Sequence, residues 1–296
     1  MTAGQDPSSP QRPDTVLGVL RAAETWLRRQ AVDEPRRSVE LLIGHVLGIP
    51  RLQIYLQHDR PLDARELAEL RALVARRARH EPISHLLGTV DFCGLSFVCG
   101  PQALVPRPET EGLVERALVA PHGGTVADLG TGSGAIAVAI AVRRPDLRVV
   151  AVDIDPDALA LAQTNAARHA VTDRIEFRRE DFATALTADD AFDVVVSNPP
   201  YVDPSRPDLL DPSVRRYEPA LALFTVPGDP SSTTRRLLPS VERALRDGGT
   251  LLLETGVGAD VAMAAALRAM PWLDGVTVEP DLDGHPRYVS ARRRSP

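Results

Sequence analysis

Thr125-Val126-Ala127-Asp128-Leu129-Gly130-Thr131-Gly132-Ser133-Gly134 leads without a break into Ala135-Ile136-Ala137-Val138-Ala139-Ile140-Ala141-Val142, and this stretch decides the fold. Thr125–Asp128 reads as a short buried strand, and Gly134–Arg143 carries a helical period. Between them lies a turn with glycine at every second position. Glycine there lets a ligand approach the backbone closely, and the helix behind it points N–H groups at that ligand. The spacing is G-x-G-x-G, not the G-x-G-x-x-G of dinucleotide sites. Taken alone, such a loop also suits a flavin or a nicotinamide.

The residues downstream narrow the reading. Val149–Val152 is a second strand candidate, and Asp153 stands at its C-terminal tip. In nucleoside-binding α/β folds an acid at this place bonds the ribose hydroxyls. Asp155 shares that face, or caps the helix that follows. Ile175–Phe177 is a third strand, followed by Glu180-Asp181-Phe182, where an acid and an aromatic can meet an adenine amino group and ring face. Asp193–Ser197 and Thr250–Glu254 complete the strand set. Segments of helical period separate the strands, notably Asp157–His169 and Ser232–Arg246. This alternation predicts an α/β fold, a parallel sheet with helices on both faces. Successive strands deliver Gly-rich or acidic loops to one C-terminal edge, where open α/β sheets bind ligands. The arrangement resembles the Rossmann-like methyltransferases that use S-adenosylmethionine.

The fourth strand ends in Asn198-Pro199-Pro200-Tyr201. Adjacent prolines fix φ and remove two backbone donors, so the loop is stiff and its carbonyls lack local partners. Asn198 adds a side-chain acceptor. Two acceptors held side by side suit a planar NH2 group. Bonds from that NH2 to the Asn198 oxygen and the Pro199 carbonyl would hold it and favour pyramidal character at nitrogen. The work is positioning and electrostatics in a preorganised site. No strong base is required, because a freshly methylated nitrogen is acidic. Accordingly the motif holds no His, Lys or carboxylate. Tyr201 can pack over the planar group.

Upstream, Thr15 to about Arg79 is helical in pattern. Val16, Leu17, Leu20, Ala23 and Leu27 recur at helical spacing. Asp33-Glu34-Pro35 starts a second helix, which Gly48 stops, and Asp63 with Glu66 forms a capping-box pair ahead of a third. Gly88, Gly94 and Gly100 then punctuate short runs such as Leu95–Val98, the pattern of a hairpin. The expected domains are 1–82, helical, with 1–13 disordered; 83–107, a hairpin linker; and 108–296, the α/β domain. On pattern alone the helical domain is either a structural appendage or a substrate-docking module.

Composition sets outer bounds. The 296 residues are 44% hydrophobic and only 4% aromatic, so the core must be mostly Ala, Val and Leu. All 34 basic side chains are Arg, and the net charge is −6, against a main task of gripping nucleic-acid phosphates. Arg76-Arg77 and Arg292-Arg293-Arg294 read as a solvated helix face and a frayed terminus. Cys93 and Cys99 match no zinc spacing and no His cluster accompanies them, so they read as packing residues and no metal is expected. The longest apolar run, Ala135–Val142, is too short to span a bilayer, and residues 1–13 lack the apolar stretch of a signal peptide. A cytoplasmic protein is expected.

Together these residues resemble the protein-(glutamine-N5) methyltransferases that act on bacterial peptide-chain release factors. The resemblance covers nearly the whole chain. It includes Glu40–Gly48, Glu81–Gly88 and the octet Leu104-Val105-Pro106-Arg107-Pro108-Glu109-Thr110-Glu111. The Gly-rich loop, Asp153, Asp181-Phe182 and Asn198–Tyr201 follow in family order, then Tyr217–Leu223, Leu253–Gly256 and Asp281–Arg287. The chain departs from the family at Phe224–Ser232, where a short Gly/Asp-rich turn is usual.

The resemblance implies S-adenosylmethionine as cofactor, held by Gly130, Thr131, Gly132, Ser133, Gly134, Asp153, Asp181, Phe182 and Asn198. It implies Asn198, Pro199 and Tyr201 as catalytic residues and Asn198, Pro199, Pro200 and Tyr201 as substrate contacts. The implied substrate is the glutamine of a release factor's Gly-Gly-Gln tripeptide, and the helical domain would help dock that factor. A monomer with no membrane or nucleic-acid partner is expected. Other readings share the Asn-Pro-Pro-Tyr logic. One is a methyltransferase for the exocyclic amine of a DNA or RNA base, which would need a basic channel and stacking aromatics. Another acts on a ribosomal-protein glutamine. A scaffold that binds the cofactor without chemistry is disfavoured by the intact Asn198 and Gly-rich loop.

Overall fold

The Thr15 hydroxyl accepts from the Gly18 N–H at 3.2 Å and so caps α1 (Val16–Arg29). This computed structural model describes residues 14–206, 210–256 and 258–295. Residues 1–13, expected to be disordered, lie outside the described residues. The chain divides into two compact units, Met1–Leu87 and Gly88–Pro296.

In the first unit α2 (Pro35–Leu47) begins with proline, whose missing N–H costs nothing there, and ends at Gly48 with φ 63°. After α3 (Arg51–Leu56), α4 (Ala64–Arg77) opens with the full capping box between Asp63 and Glu66. A short α5 (Ile83–Leu87) completes the unit. Val16, Leu20, Leu27, Val39, Leu42, Ile43, Leu70 and Val74 form its core. Arg76 and Arg77 do not simply face solvent. Arg76 Nε donates to Glu81 at 2.9 Å, and Arg77 donates to the Ser38 hydroxyl at 3.2 Å and the Glu81 carbonyl at 3.0 Å. Both thus tie the end of α4 to its surroundings.

The second unit opens with an antiparallel hairpin, β1 (Thr89–Phe92) and β2 (Leu95–Val98). Cys93, at the turn, has φ 52°. The span 83–107, expected as a linker, is shared between the two units. Leu86 joins the helical core, whereas Phe92 and Phe97 pack edge to face at 5.9 Å in the core of the second unit. Asn165 fixes the hairpin there, accepting from the Val98 N–H at 2.8 Å and donating to its carbonyl at 3.0 Å. This asparagine lies on α8, defined below.

The remaining elements are α6 (Pro108–Ala117), β3 (Thr125–Leu129), α7 (Ala135–Arg143), β4 (Arg148–Asp153), α8 (Pro156–Arg168), β5 (Ile175–Arg179), β6 (Phe192–Ser197), α9 (Pro212–Tyr217), α10 (Ala220–Leu223), α11 (Ser232–Ala244), β7 (Leu245–Glu254), α12 (Asp260–Arg268), β8 (Leu273–Pro280) and β9 (Pro286–Arg293). The seven-stranded sheet runs β5-β4-β3-β6-β7-β9-β8. Its first five strands are parallel, and β9 and β8 are antiparallel to their neighbours. Every residue of α7 from Ala135 to Ala141 is buried, as befits a helix apolar all round. One apolar layer includes Ile136, Val138 and Ile140; another includes Leu237, Val241, Met263 and Leu267.

Three sequence expectations are corrected. The helix expected over Ser232–Arg246 ends at Ala244, because Leu245 already pairs with Phe192 in the sheet. The strands β8 and β9 were not anticipated. Arg292 and Arg293, expected in a frayed terminus, belong to β9, and Arg293 pairs with Asp247 at 3.1 Å. Sheet pairing there outweighs the polar sequence.

Candidate active site

The chain runs outward from β3 to β4 and β5, then returns to place β6 on the other side of β3. The switch point therefore lies where β3 and β6 end side by side. Ligand crevices form outside the strand carboxyl ends at such points. Here one end carries the Gly-rich loop and the other carries Asn198.

Gly130, Gly132 and Gly134 all have positive φ, at 74°, 55° and 78°. The loop is held from two directions. The N–H groups of Gly130 and Thr131 donate to the Val152 carbonyl at 2.8 and 2.9 Å, and the Gly132 N–H donates to Asp153 Oδ2 at 2.8 Å. At Gly134 a side chain has no room, since a Cβ would stand 2.9 Å from that of Ala162. At Gly130 nothing stands within 4 Å, so that face is open to a ligand.

Asp128 is fully buried beneath the loop. Its Oδ2 accepts from the Thr131 hydroxyl at 2.6 Å and the Ala137 N–H at 3.2 Å, while Oδ1 meets no partner. Burial pushes its carboxyl up to about 7, against those two hydrogen bonds. Burial also raises Asp153, opposed by the N–H groups of Asp155 and Gly132. Asp155 does cap α8, accepting from the Asp157 N–H at 2.8 Å.

One cavity gathers most of the expected site. Gly130, Thr131, Gly132, Ser133, Asp153, Asp181, Phe182, Asn198 and Pro200 all line it. Asp181 arrives already engaged. Its Oδ2 accepts from Arg236 at 2.6 Å and its Oδ1 from the Ala183 N–H at 2.9 Å, with Arg236 5.3 Å from the Phe182 ring centre. Gly134, Pro199 and Tyr201 are not among the described lining residues. Gly134 sits against Ala162, and Pro199 is buried. The Tyr201 ring packs against Gly256, where a Cβ would meet it at 2.6 Å, and its hydroxyl is pushed up to about 12 by burial and then by Glu254. Tyr201 thus braces the loop from behind.

Sequence reasoning did not assign Arg107, Thr110, Glu218, Arg236 or Glu254 to the site. Arg107, Thr110 and Arg236 line the cavity. Arg107 forms an ion pair with the buried Glu218, which also accepts from the Val105 N–H at 3.1 Å. Burial raises Glu218, and the Arg107 charge opposes that. This pair joins the segment before α6 to the one between α9 and α10, and residues of both line the cavity. The stretches Leu104–Glu111 and Tyr217–Leu223 held the signal, but no rule of spacing pairs charges so far apart in sequence. The atypical Phe224–Ser232 stretch forms an ordered turn. The Thr225 N–H donates to the Val202 carbonyl at 2.9 Å, Gly228 has φ 75°, and Asp229 pairs with Arg235.

Two family models match the chain, the PrmC N-terminal domain over residues 18–88 and the methyltransferase small domain over 109–210. The solved hMettl16 catalytic domain in complex with MAT2A 3'UTR hairpin 6 superposes with TM-score 0.54 at 18% identity, covering 75% of this chain and 81% of that one, a likeness of fold. Fold and family models together define a methyltransferase of the Rossmann-like class, and its cofactor is S-adenosylmethionine. Two relatives named release factor glutamine methyltransferase are each 40% identical to this chain. The one from Geobacter sulfurreducens matches over 94% of this chain and 96% of its own length; that from Nitratidesulfovibrio vulgaris matches over 94% and 95%. The chain belongs to the release factor glutamine methyltransferase family.

The residues present fit the cofactor. The open face at Gly130, the inward-turned loop and the Asp153 carboxylate line one cavity with an aromatic ring, Phe182. Among the described residues no helix is long and apolar enough to cross a membrane.

Proposed function

We propose that the protein transfers a methyl group from S-adenosylmethionine to the side-chain amide nitrogen of the glutamine in the Gly-Gly-Gln motif of peptide-chain release factors. The observation that carries this reading is that Asn198, on its proline-stiffened loop, lines the same cavity as the Gly-rich loop and Asp153. In this reading Gly130–Gly134 and Asp153 hold the cofactor, with Asp181 and Phe182 toward its adenine. The bound cofactor supplies a methyl group activated on a sulfonium.

The chain's own part is to hold the acceptor. An amide nitrogen is a poor nucleophile because its lone pair is delocalised. The Asn198 side-chain oxygen and the Pro199 carbonyl accept the two N–H bonds, so the nitrogen is oriented and its pyramidal form favoured. After transfer the nitrogen loses one proton to solvent, which needs no dedicated base. Pro200 lines the acceptor side, and Tyr201 supports the loop from behind. The helical unit serves to dock the release factor. The protein acts in the cytoplasm as a monomer, without nucleic acid or membrane. The net charge of −6 supports the exclusion of nucleic acid.

The test is incubation of the purified protein with labelled S-adenosylmethionine and a release factor, followed by mass spectrometry. One methyl group on the Gly-Gly-Gln glutamine is expected, and none on a factor carrying Glu or Asn there. A methyl group on another residue, or robust labelling of RNA or DNA, would overturn the proposal.

A further inference from the structure

We infer that Glu254, acting through Thr110, is a positioning residue that fixes which end of the Asn198 amide faces the acceptor; this rests on the role proposed for Asn198. The strands β6 and β7 pair in parallel with Ser197 beside Leu253. The next residues of each, Asn198 and Glu254, therefore emerge together at the C-terminal edge of the sheet. Thr110, in the first turn of α6, is buried, and its hydroxyl accepts from Asn198 Nδ2 at 3.4 Å. Thr110 and Asn198 lie near enough to Glu254 for their side chains to favour its ionised form.

The direction of this chain of bonds follows from what each group can do. A carboxylate only accepts. In the inferred arrangement the Thr110 hydroxyl turns its single proton to Glu254 and keeps its lone pairs for Asn198. Asn198 must then turn its NH2 toward Thr110 and Glu254, which leaves Oδ1 for the cavity that Asn198 lines. Without the carboxylate, the Thr110 hydroxyl is free to rotate and donate to Oδ1, and the amide can flip. A flipped amide would present donors to an NH2 that needs acceptors.

Glu254 has the features of a functional carboxyl. Only 1% of it is exposed, and its Oε2 has no hydrogen-bond partner. A buried acceptor left unpaired costs stability, so stability alone does not explain it. Burial pushes the carboxyl up to about 7, with Glu109 on α6 raising it further; Thr110, Arg287 on β9 and Asn198 act against this. Tyr201 and Tyr288 complete the titratable groups around it. Protonation would turn the carboxyl into a donor and undo the polarity of the relay. The turnover rate should therefore rise with pH through this ionisation.

The test compares Glu254→Gln, Thr110→Val and Thr110→Ser, assayed on whichever acceptor the unmodified protein methylates. Failure of the release-factor reading thus leaves this test intact. Expected are tenfold or greater losses of kcat in Glu254→Gln and Thr110→Val, with S-adenosylmethionine affinity and unfolding midpoint close to the parent. Thr110→Ser should keep most activity, and the rising limb of the kcat–pH profile should vanish in Glu254→Gln. The NMR signals of the Asn198 side-chain NH2, identified by their loss in Asn198→Ala, should move in Glu254→Gln. Unchanged kcat and NH2 signals in Glu254→Gln, or equal losses in Thr110→Ser and Thr110→Val, would overturn the inference.

Discussion

The Gly132 N–H donates to Asp153 Oδ2 at 2.8 Å, so the loop after β3 is fastened to the tip of β4 by the carboxylate proposed to hold the ribose. The second oxygen, Oδ1, accepts from the Asp155 N–H at 3.0 Å. In the proposed reading Asp153 therefore has two tasks, to shape the loop and to meet the cofactor.

Replacing Asp153 with Ala should remove both. Loss of a charge-assisted hydrogen bond costs about 1.5–3 kcal/mol, and S-adenosylmethionine binding should weaken by at least that much. Asp153→Asn keeps an acceptor for Gly132 and should fall between the two. Calorimetric titration measures this directly. Equal affinities for all three proteins would reduce Asp153 to a loop residue.

Asn198→Ala should show the opposite pattern. Cofactor affinity should hardly change, because its oxygen is assigned to the acceptor, while kcat should collapse. Removal of one preorganised oxyanion-hole-type contact costs about 2.7–4 kcal/mol of activation free energy. Single-turnover methyl transfer and equilibrium binding, measured on the same preparation, separate the two effects. Near-full turnover, or a parallel loss of cofactor binding, would refute the assignment.

Much of this architecture is legible in the residues alone. Each of the five parallel strands overlaps its expected segment; the central ones are legible because a strand buried on both faces must be written largely in Val, Ile, Leu and Ala, whereas the edge strand β5 shows only Ile175 and Phe177. The Asp63–Glu66 box and the Gly48 stop are legible because capping depends on residues three or four apart. Strands β8 and β9 escape notice because both carry many exposed or charged residues, and only the pairing of β9 with β7 and of β8 with β9 makes them sheet. The site divides in the same way. Nine of the expected residues share one cavity, each announced by a local motif. Arg107 with Glu218, Arg236 with Asp181, and Thr110 with Asn198 are contacts across 55 to 111 positions, which no local pattern encodes.

The Arg107–Glu218 pair makes a stability prediction. Glu218 is buried, whereas Arg107 keeps some contact with solvent. Arg107→Met leaves a buried carboxylate without its cation and should destabilise the protein by about 2 kcal/mol, less than the roughly 3–5 kcal/mol of a fully buried pair because Arg107 is part-solvated. The double variant Arg107→Met/Glu218→Gln should recover part of that loss. Denaturant unfolding of the parent, Arg107→Met, Glu218→Gln and the double variant gives the coupling. Strict additivity would mean that the two side chains act independently.

Asp128 should make stability depend on pH in a particular direction. Its native carboxyl is pushed up to about 7, well above the ordinary carboxylate value. Between those values the folded protein keeps a proton that the unfolded chain has released. Stability from this group is thus fully present below the ordinary carboxylate value and is lost as pH rises through 7. A tenfold difference in proton affinity between the folded and unfolded chain is worth about 1.4 kcal/mol. Asp128→Asn keeps the acceptor for Thr131 and Ala137 and should make the decline between about pH 5 and 7 shallower, leaving the part that Glu254 contributes. Parallel curves for the two unliganded proteins would contradict the buried, protonated state.

The two cysteines give this protein a built-in gauge of local opening. Thiol reagents attack the thiolate. Cys93, in the hairpin turn, is pushed up to about 11 by burial, and Cys99 just beyond β2 is buried. The chain has two cysteines, and both fall within Gly88–Pro296. Cys99, which is buried, can react in native buffer only when the segment after β2 opens, whereas the half-buried Cys93 reacts slowly from the folded state because its thiol is pushed up. Labelling of Cys99 therefore times that local opening, and unfolding confined to Met1–Leu87 would leave its rate unchanged.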